Sequence, residues 1–320
     1  MSSTPRNSDS LRTANWSGEL EPVIAQLMDR HLEMSKEWFP HQYVPWGQGK
    51  DFDGPLDGTP WQDAQSQLTP IAQSAIVLSL LTEENLPTYH HQISQVSTTG
   101  SAWAEWTHRW TAEEDRHSTV LQSYVHATRA VDPVALERAR MQHMSTPVED
   151  VFPDQDPRRL AYVMVQELAT RVSHRNVGKH CGEPVCERLF DRMSQDENLH
   201  MIFYRDLFTA MFDLFPDEAM EAFALTVRDF RMPGYSMPGF AAMSVKMASA
   251  GIYTPQIHLD SVVTPLMRAL QVMDRTDLGP SGEEHRDQLA ALLGRLESGA
   301  QRFTQREAER NDAHERARTE

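Results

Sequence analysis

Apolar residues recur every three or four positions through the middle of the chain, the spacing of helices that bury one face. The pattern predicts four long helices at roughly 68–95, 101–130, 157–178 and 184–213, most of them separated by Pro and Gly clusters. A loop reading RMPGYSMPGF from Arg231 precedes shorter helical patterns at roughly 239–251 and 258–275, and another helix follows SGEEHR. The stretch from Trp38 to Gln62 is dense in Pro, Gly and aromatic residues and reads as a long ordered loop whose aromatics cover a core. No β-type alternation and no fixed-period repeat interrupts this, so the fold class is all-α. Residues 1–15 read as a flexible tail, 16–300 as one domain and 301–320 as a charged tail that alternatively extends a solvated helix.

The apolar stripes are interrupted at corresponding places. In the first long helix Ala72, Ala75, Ile76, Ser79 and Leu80 share a face, and the next step of three lands on Glu83. The second carries Trp103, Trp106 and Trp110, then Glu114, His117 and Leu121. The third runs Leu160, Val163, Glu167, Thr170, and the fourth Leu189, Met193, Glu197, His200, Tyr204, Leu207. Each helix thus turns a Glu inward, and two of them add a His one turn later.

Buried carboxylates are costly unless positive charge meets them, and no Lys or Arg occupies these stripes in matching number. Two divalent cations balance four carboxylates, and one imidazole per metal suits iron or manganese better than thiolate-preferring metals. A Glu from each of two helices with Glu-x-x-His from each of two others is the ligand pattern of ferritin-like di-iron bundles, here a four-helix core with additional helices. Any one of these residues alone is more often a cap, a solvated Glu or a hydrogen-bonded structural His; the ordered set is what points to metal. A competing Glu105-Trp-Thr-His108 lies nine residues before Glu114 and His117, which turns it to the opposite, exposed side of its helix. Cys181 and Cys186 read as buried or incidental thiols, since an isolated Cys-x4-Cys is a poor zinc signal.

LTEENLPTYH from Leu81, WTAEEDRH from Trp110, QELATRVSHRN from Gln166 and DENLHMIFYRD from Asp196, with WFPHQYVPW and RMPGYSMPGF, make the chain resemble the soluble acyl-[acyl-carrier-protein] desaturases, especially the mycobacterial type. The resemblance spans roughly Leu20 to Leu278. It implies two iron ions bound by Glu83, Glu114, His117, Glu167, Glu197 and His200, choosing Glu83 over Glu84 and Glu114 over Glu113. It implies Thr82 and Thr170 beside the irons as aids to proton delivery, and Trp38 and Asp196 as the point of electron entry from a ferredoxin-type donor. The expected reaction is O2-dependent insertion of a cis double bond into a saturated acyl chain carried by acyl carrier protein or coenzyme A, in a homodimer. Ser118 and Asp115 replace a common Gly and Asn of the family beside His117 without removing a ligand.

A net charge of −16 argues against nucleic acid or an anionic membrane as the main partner. An acidic carrier then needs a local basic patch, with candidates among Arg30, Lys36, Arg171, Arg175 and Lys179. With no apolar leader and no apolar run of spanning length, the expected location is the cytoplasm. Competing readings are a di-iron oxygenase that hydroxylates or N-oxidises another small substrate, and a non-catalytic iron-binding bundle.

Overall fold

A computed structural model describes residues 16–95, 99–146 and 156–319; the tail expected at 1–15 lies outside the described residues. Among the described residues the regular structure is all helical, apart from one isolated bridge between Phe52 and Thr59. Helices α1 (Trp16–Met34), α2 (Pro70–Glu84), α3 (Leu86–Ser94), α4 (Ala102–Ala127), α5 (Pro133–Met144), α6 (Asp156–His180) and α7 (Pro184–Leu214) come first. They are followed by α8 (Pro216–Asp229), α9 (Phe240–Ser249), α10 (Pro255–His258), a π-helical turn (Leu259–Val263), α11 (Thr264–Ala269) and α12 (Pro280–Thr319). No described helix is long and apolar enough to cross a membrane.

The helices begin where side chains satisfy their free N–H groups. Thr69 accepts from Ala72 N at the start of α2, Ser101 from Ala104 N at α4, and Glu183 from Val185 N and Cys186 N at α7. The long helix expected over 68–95 breaks at Asn85. Pro87 has no N–H to bond back to Glu83 O, and its ring would collide with that carbonyl, so α2 ends at Glu84 and α3 starts afresh at Leu86. The four Glu-bearing helices are therefore α2, α4, α6 and α7, with α3 and α5 between them rather than consecutive in sequence.

Helices α1, α5 and α8 did not stand out in the sequence pattern. α1 carries Pro22 inside it, and α5 buries only Leu136 and His143, too few for a stripe. α12 includes SGEEHR and continues through 301–319, the solvated-helix alternative for that end.

α6 and α7 form a tight antiparallel pair; a Cβ on Gly178 would sit 3.0 Å from Phe190 Cβ. One apolar cluster gathers Leu20, Ile24, Trp103, Trp106, Leu168 and Tyr204. A second gathers Trp38, Ile76, Leu80, Leu121, Leu189 and Phe190, and the inward Glu and His residues are interspersed with both clusters along the same helices. The aromatic loop is pinned by buried Arg129, which donates to the carbonyls of Lys50, Asp51 and Thr59 and lies 4.0 Å over the Phe52 ring. Trp38 is buried at the start of this loop, whereas Trp46 is 56% exposed.

His258 stands at the π-helical turn, stacked on Phe230 with ring centroids 5.0 Å apart and its Nδ1 2.9 Å from the Tyr253 hydroxyl. Burial, which disfavours the charged ring, pushes it down to about 4. A His depressed in the fold contributes stability that is full above its unfolded value near 6.5 and is lost as pH falls toward about 4. Urea unfolding of chelator-treated protein should show about 2 kcal/mol more loss between pH 7 and pH 5 in the wild type than in His258→Gln.

Candidate metal centre

The six residues singled out as ligands converge in the middle of the bundle, all buried. Two overlapping groups form, Glu83, Glu114, His117 and Glu197 on one side and Glu114, Glu167, Glu197 and His200 on the other. In each group one ligand atom per residue lies within 4.8 Å of the others. Glu114 and Glu197 belong to both, as carboxylates that span two cations must.

His117 Nδ1 points at Glu114 Oε2 (3.2 Å), Glu197 Oε1 (3.4 Å) and Glu83 Oε2 (3.7 Å). His200 Nδ1 points at Glu114 Oε1 (2.7 Å) and Glu167 Oε2 (3.6 Å). None of these approaches is an aligned hydrogen bond: both His117 nitrogens, His200 Nδ1, Glu114 Oε1, Glu167 Oε2 and both Glu197 oxygens are buried without a partner. Buried polar atoms left unpartnered are expensive, and here they face one another across a common space. A donor set of carboxylate oxygens and imidazole nitrogens fits hard-to-borderline divalent metals.

The second nitrogen of each His faces a further acid, hydrogen-bonded to it at His200 and only near it at His117. His200 Nε2 donates to Glu113 Oε2 (2.9 Å), which also accepts from His31 Nε2 (2.9 Å) and pairs with Arg109. His117 Nε2 lies 3.6 Å from Asp196 Oδ2, which accepts from Trp38 Nε1 (2.6 Å) and pairs with Arg116 and Arg192. The acid just before each Glu-x-x-His therefore serves the His of the other helix. Sequence reasoning passed over Glu113 and His31; the acid that immediately precedes Glu in both Glu113-Glu114-x-x-His117 and Asp196-Glu197-x-x-His200 was the available signal. One oxygen of each outer carboxylate is also held: His174 Nε2 donates to Glu83 Oε1 (2.9 Å), and Trp110 Nε1 to Glu167 Oε1 (3.0 Å).

The charges compensate one another. Burial raises Glu167, and the nearby Glu197 charge adds to it, so its carboxyl is held well above the ordinary range. Burial works against charged His117 and His200, yet the surrounding carboxylates hold both well above the usual imidazole value. Asp196, although burial opposes it, is held at about 2 by His117 and Arg192.

Thr82 and Thr170 line a cavity of about 440 Å³ that reaches Glu83 and His174, and their hydroxyls donate to Leu78 O (3.0 Å) and Gln166 O (2.6 Å) of their own helices. Its remaining wall is mostly apolar, with Leu78, Met232, Phe240 and Met247, and the exposed Arg231 and Tyr235 stand at its mouth. A separate cleft of about 860 Å³ is lined by Lys36, Arg171, Arg175 and Arg192. Arg30 instead pairs with Asp206, and Arg175 with Asp191 at the cleft wall. The competing Glu105 and His108 are both exposed, and Cys181 and Cys186 are buried free thiols.

A family model described as fatty acid desaturase matches residues 14–319. The chain is 44% identical over 292 residues to a Mycobacterium tuberculosis protein provisionally named acyl-[acyl-carrier-protein] desaturase DesA1, covering 89% of this chain and 86% of that one. The chain belongs to the fatty acid desaturase family. This desaturase chain is also 27% identical to the rice (Oryza sativa subsp. indica) protein named stearoyl-[acyl-carrier-protein] 9-desaturase 2, chloroplastic, over 83% of its own length and 71% of the relative's. The X-ray structure of M. tuberculosis DesA2, likewise provisionally named an acyl-ACP desaturase, superposes with a TM-score of 0.69 at 29% identity, covering 85% of this chain and 99% of that one.

Because Glu167, His117 and His200 are all shifted toward their protonated forms by burial and by the surrounding carboxylates, metal uptake should release protons. Calorimetric titration in two buffers of different ionisation enthalpy measures this; no proton release would mean the carboxylates are already ionised and the imidazoles neutral.

Proposed function

We propose that the protein is an O2-dependent acyl-[acyl-carrier-protein] desaturase that introduces a cis double bond into a saturated acyl thioester during fatty acid biosynthesis. The observation that carries this reading is the junction of a mostly apolar cavity with an acid and imidazole cluster able to hold two cations. Iron is the metal assigned, and Glu83, Glu114, His117, Glu167, Glu197 and His200 would hold two ions of it. When bound and reduced, the iron pair supplies the O2 chemistry that side chains lack for removing hydrogen from an unactivated alkyl chain. Overall, O2, two electrons and two protons take up the two hydrogens of adjacent methylenes and leave as two waters.

The residues of this chain supply position and environment. Leu78, Met232, Phe240 and Met247 hold the alkyl chain and exclude water beside Glu83. Glu113 and Asp196 fix the ring orientation of His200 and His117 through their outer nitrogens. Thr82 and Thr170 place hydroxyls at the cavity wall for proton delivery. Electrons enter from a ferredoxin-type donor through Trp38, Asp196 and His117, approached from the basic cleft in which Arg192 touches Asp196. The acyl carrier docks instead at the mouth of the apolar cavity, where Arg231 stands. A homodimer in the cytoplasm completes the reading.

Protein expressed with added iron should hold about two irons per chain, as its donor set provides for. Glu114→Ala and His200→Ala should lose that iron and reduce turnover of octadecanoyl carrier protein to background. Product mass decides the reaction class: loss of two hydrogens supports desaturation, and gain of one oxygen would place the protein among hydroxylases. A second variant tests the orienting acids. Glu113→Ala should lower affinity for cobalt(II) about 10- to 100-fold at one site, read from its visible bands, while the fold by circular dichroism stays intact.

A further inference from the structure

His174 stands outside the ligand pattern yet touches it. It lies two turns beyond Glu167 and one beyond Thr170 on the inward face of α6, and it is buried. Its Nε2 is 2.9 Å from Glu83 Oε1 and 3.5 Å from Glu197 Oε1. With Oε1 of Glu83 engaged by the ring, Oε2 is left to face His117 Nδ1 at 3.7 Å. The opposite carboxylate is handled the same way: Trp110 Nε1 engages Glu167 Oε1, and Glu167 Oε2 is left facing His200 Nδ1. The two holders differ in one respect. His174 forms part of the wall of the apolar cavity, and Trp110 does not.

The His174 ring is also held by few polar contacts. Its Nδ1 is buried without a hydrogen-bond partner, and its nearest aromatic neighbour, Phe190, is 5.5 Å away at an oblique 47°. Nothing among the described hydrogen bonds fixes the ring apart from the acids it serves. An occupant of the cavity therefore meets a side chain whose described polar neighbours, Glu83 and Glu197, are candidate metal ligands.

We propose that His174 is the positioning residue that transmits filling of the acyl cavity to the Glu83 carboxylate, so that the metal on the Glu83 side senses the bound chain more than the one on the Glu167 side. This rests on the di-metal desaturase reading. The ring's N–H sets which oxygen of Glu83 faces the metal, and contact with the alkyl chain shifts the ring and the carboxylate together. Trp110, remote from the cavity wall, keeps Glu167 fixed throughout.

Cobalt(II) tests this without turnover. Wild-type protein loaded with cobalt(II) should take up about two ions per chain, and octadecanoyl carrier protein should change the visible bands of one of them, whereas acyl-free carrier protein should not. His174→Leu should still bind cobalt(II) but lose that change, with affinity at the Glu83 side lowered about 10- to 100-fold. His174→Gln, which keeps an N–H donor, should restore the change in part, and Trp110→Phe should leave it in place. A full acyl-induced change in His174→Leu, or none in the wild type, would overturn the proposal. So would a folded His174→Leu that binds no metal, since His174 would then be a ligand rather than a positioning residue. Failure of the wild type to bind cobalt(II) at all would count against the di-metal site itself, a result separable from the others.

Discussion

Glu83, Glu114, Glu167 and Glu197 lie together in a helical interior, and their mutual repulsion is the constraint around which the surrounding structure is arranged. The carboxylates favour the charged forms of His117 and His200, and burial with the Glu197 charge favours the neutral form of Glu167, so the negative charge is opposed from both directions. That arrangement is tolerable and also incomplete, because the same atoms remain without aligned hydrogen bonds. A protein interior with unsatisfied polar groups facing a common space is one in which a cation replaces protons with little rearrangement of the chain.

The rest of the fold holds this cluster in place. Pro87 ends α2 just beyond Glu83, which fixes how far that helix can carry its acid. The close α6–α7 pair sets the separation of Glu167 from Glu197 and His200, and α1 brings His31 against Glu113. The cavity and the basic cleft lie on adjacent faces of α6: Thr170, Ser173 and His174 line one, and Arg171, Arg175 and Asn176 the other. A mostly apolar and a basic approach thereby flank one centre.

Much of this was legible from period alone. The stripes on α2, α4, α6 and α7 are buried where the three- and four-residue steps put them, and the exposed Glu105 and His108 follow from their angular offset. The partners supplied by distant segments were not legible. His31 belongs to a helix whose pattern is weak, and nothing local in α6 says that His174 meets Glu83, 91 residues earlier. The Glu113 and Glu114 pair was resolved in favour of one acid, although both are buried and used, because a helical stripe identifies residues pointing inward and not those reaching sideways to a neighbour. The break at Asn85 was missed for another reason: apolar period continues across Pro87 while the backbone cannot.

The exchange of acids between α4 and α7, Glu113 bonded to His200 and Asp196 facing His117, ties the two helices to one register. Sliding either by a single residue rotates its motif about 100° and separates every acid from the imidazole it serves, on both sides of the centre at once. The pair can accordingly be varied only as one unit. An insertion or deletion within either motif would disable both metal positions, whereas compensating changes must arise in two segments more than seventy residues apart in the chain. Anyone grafting this centre onto another bundle would have to transplant both helices in their mutual alignment, since one Glu-x-x-His alone carries only half of its own support.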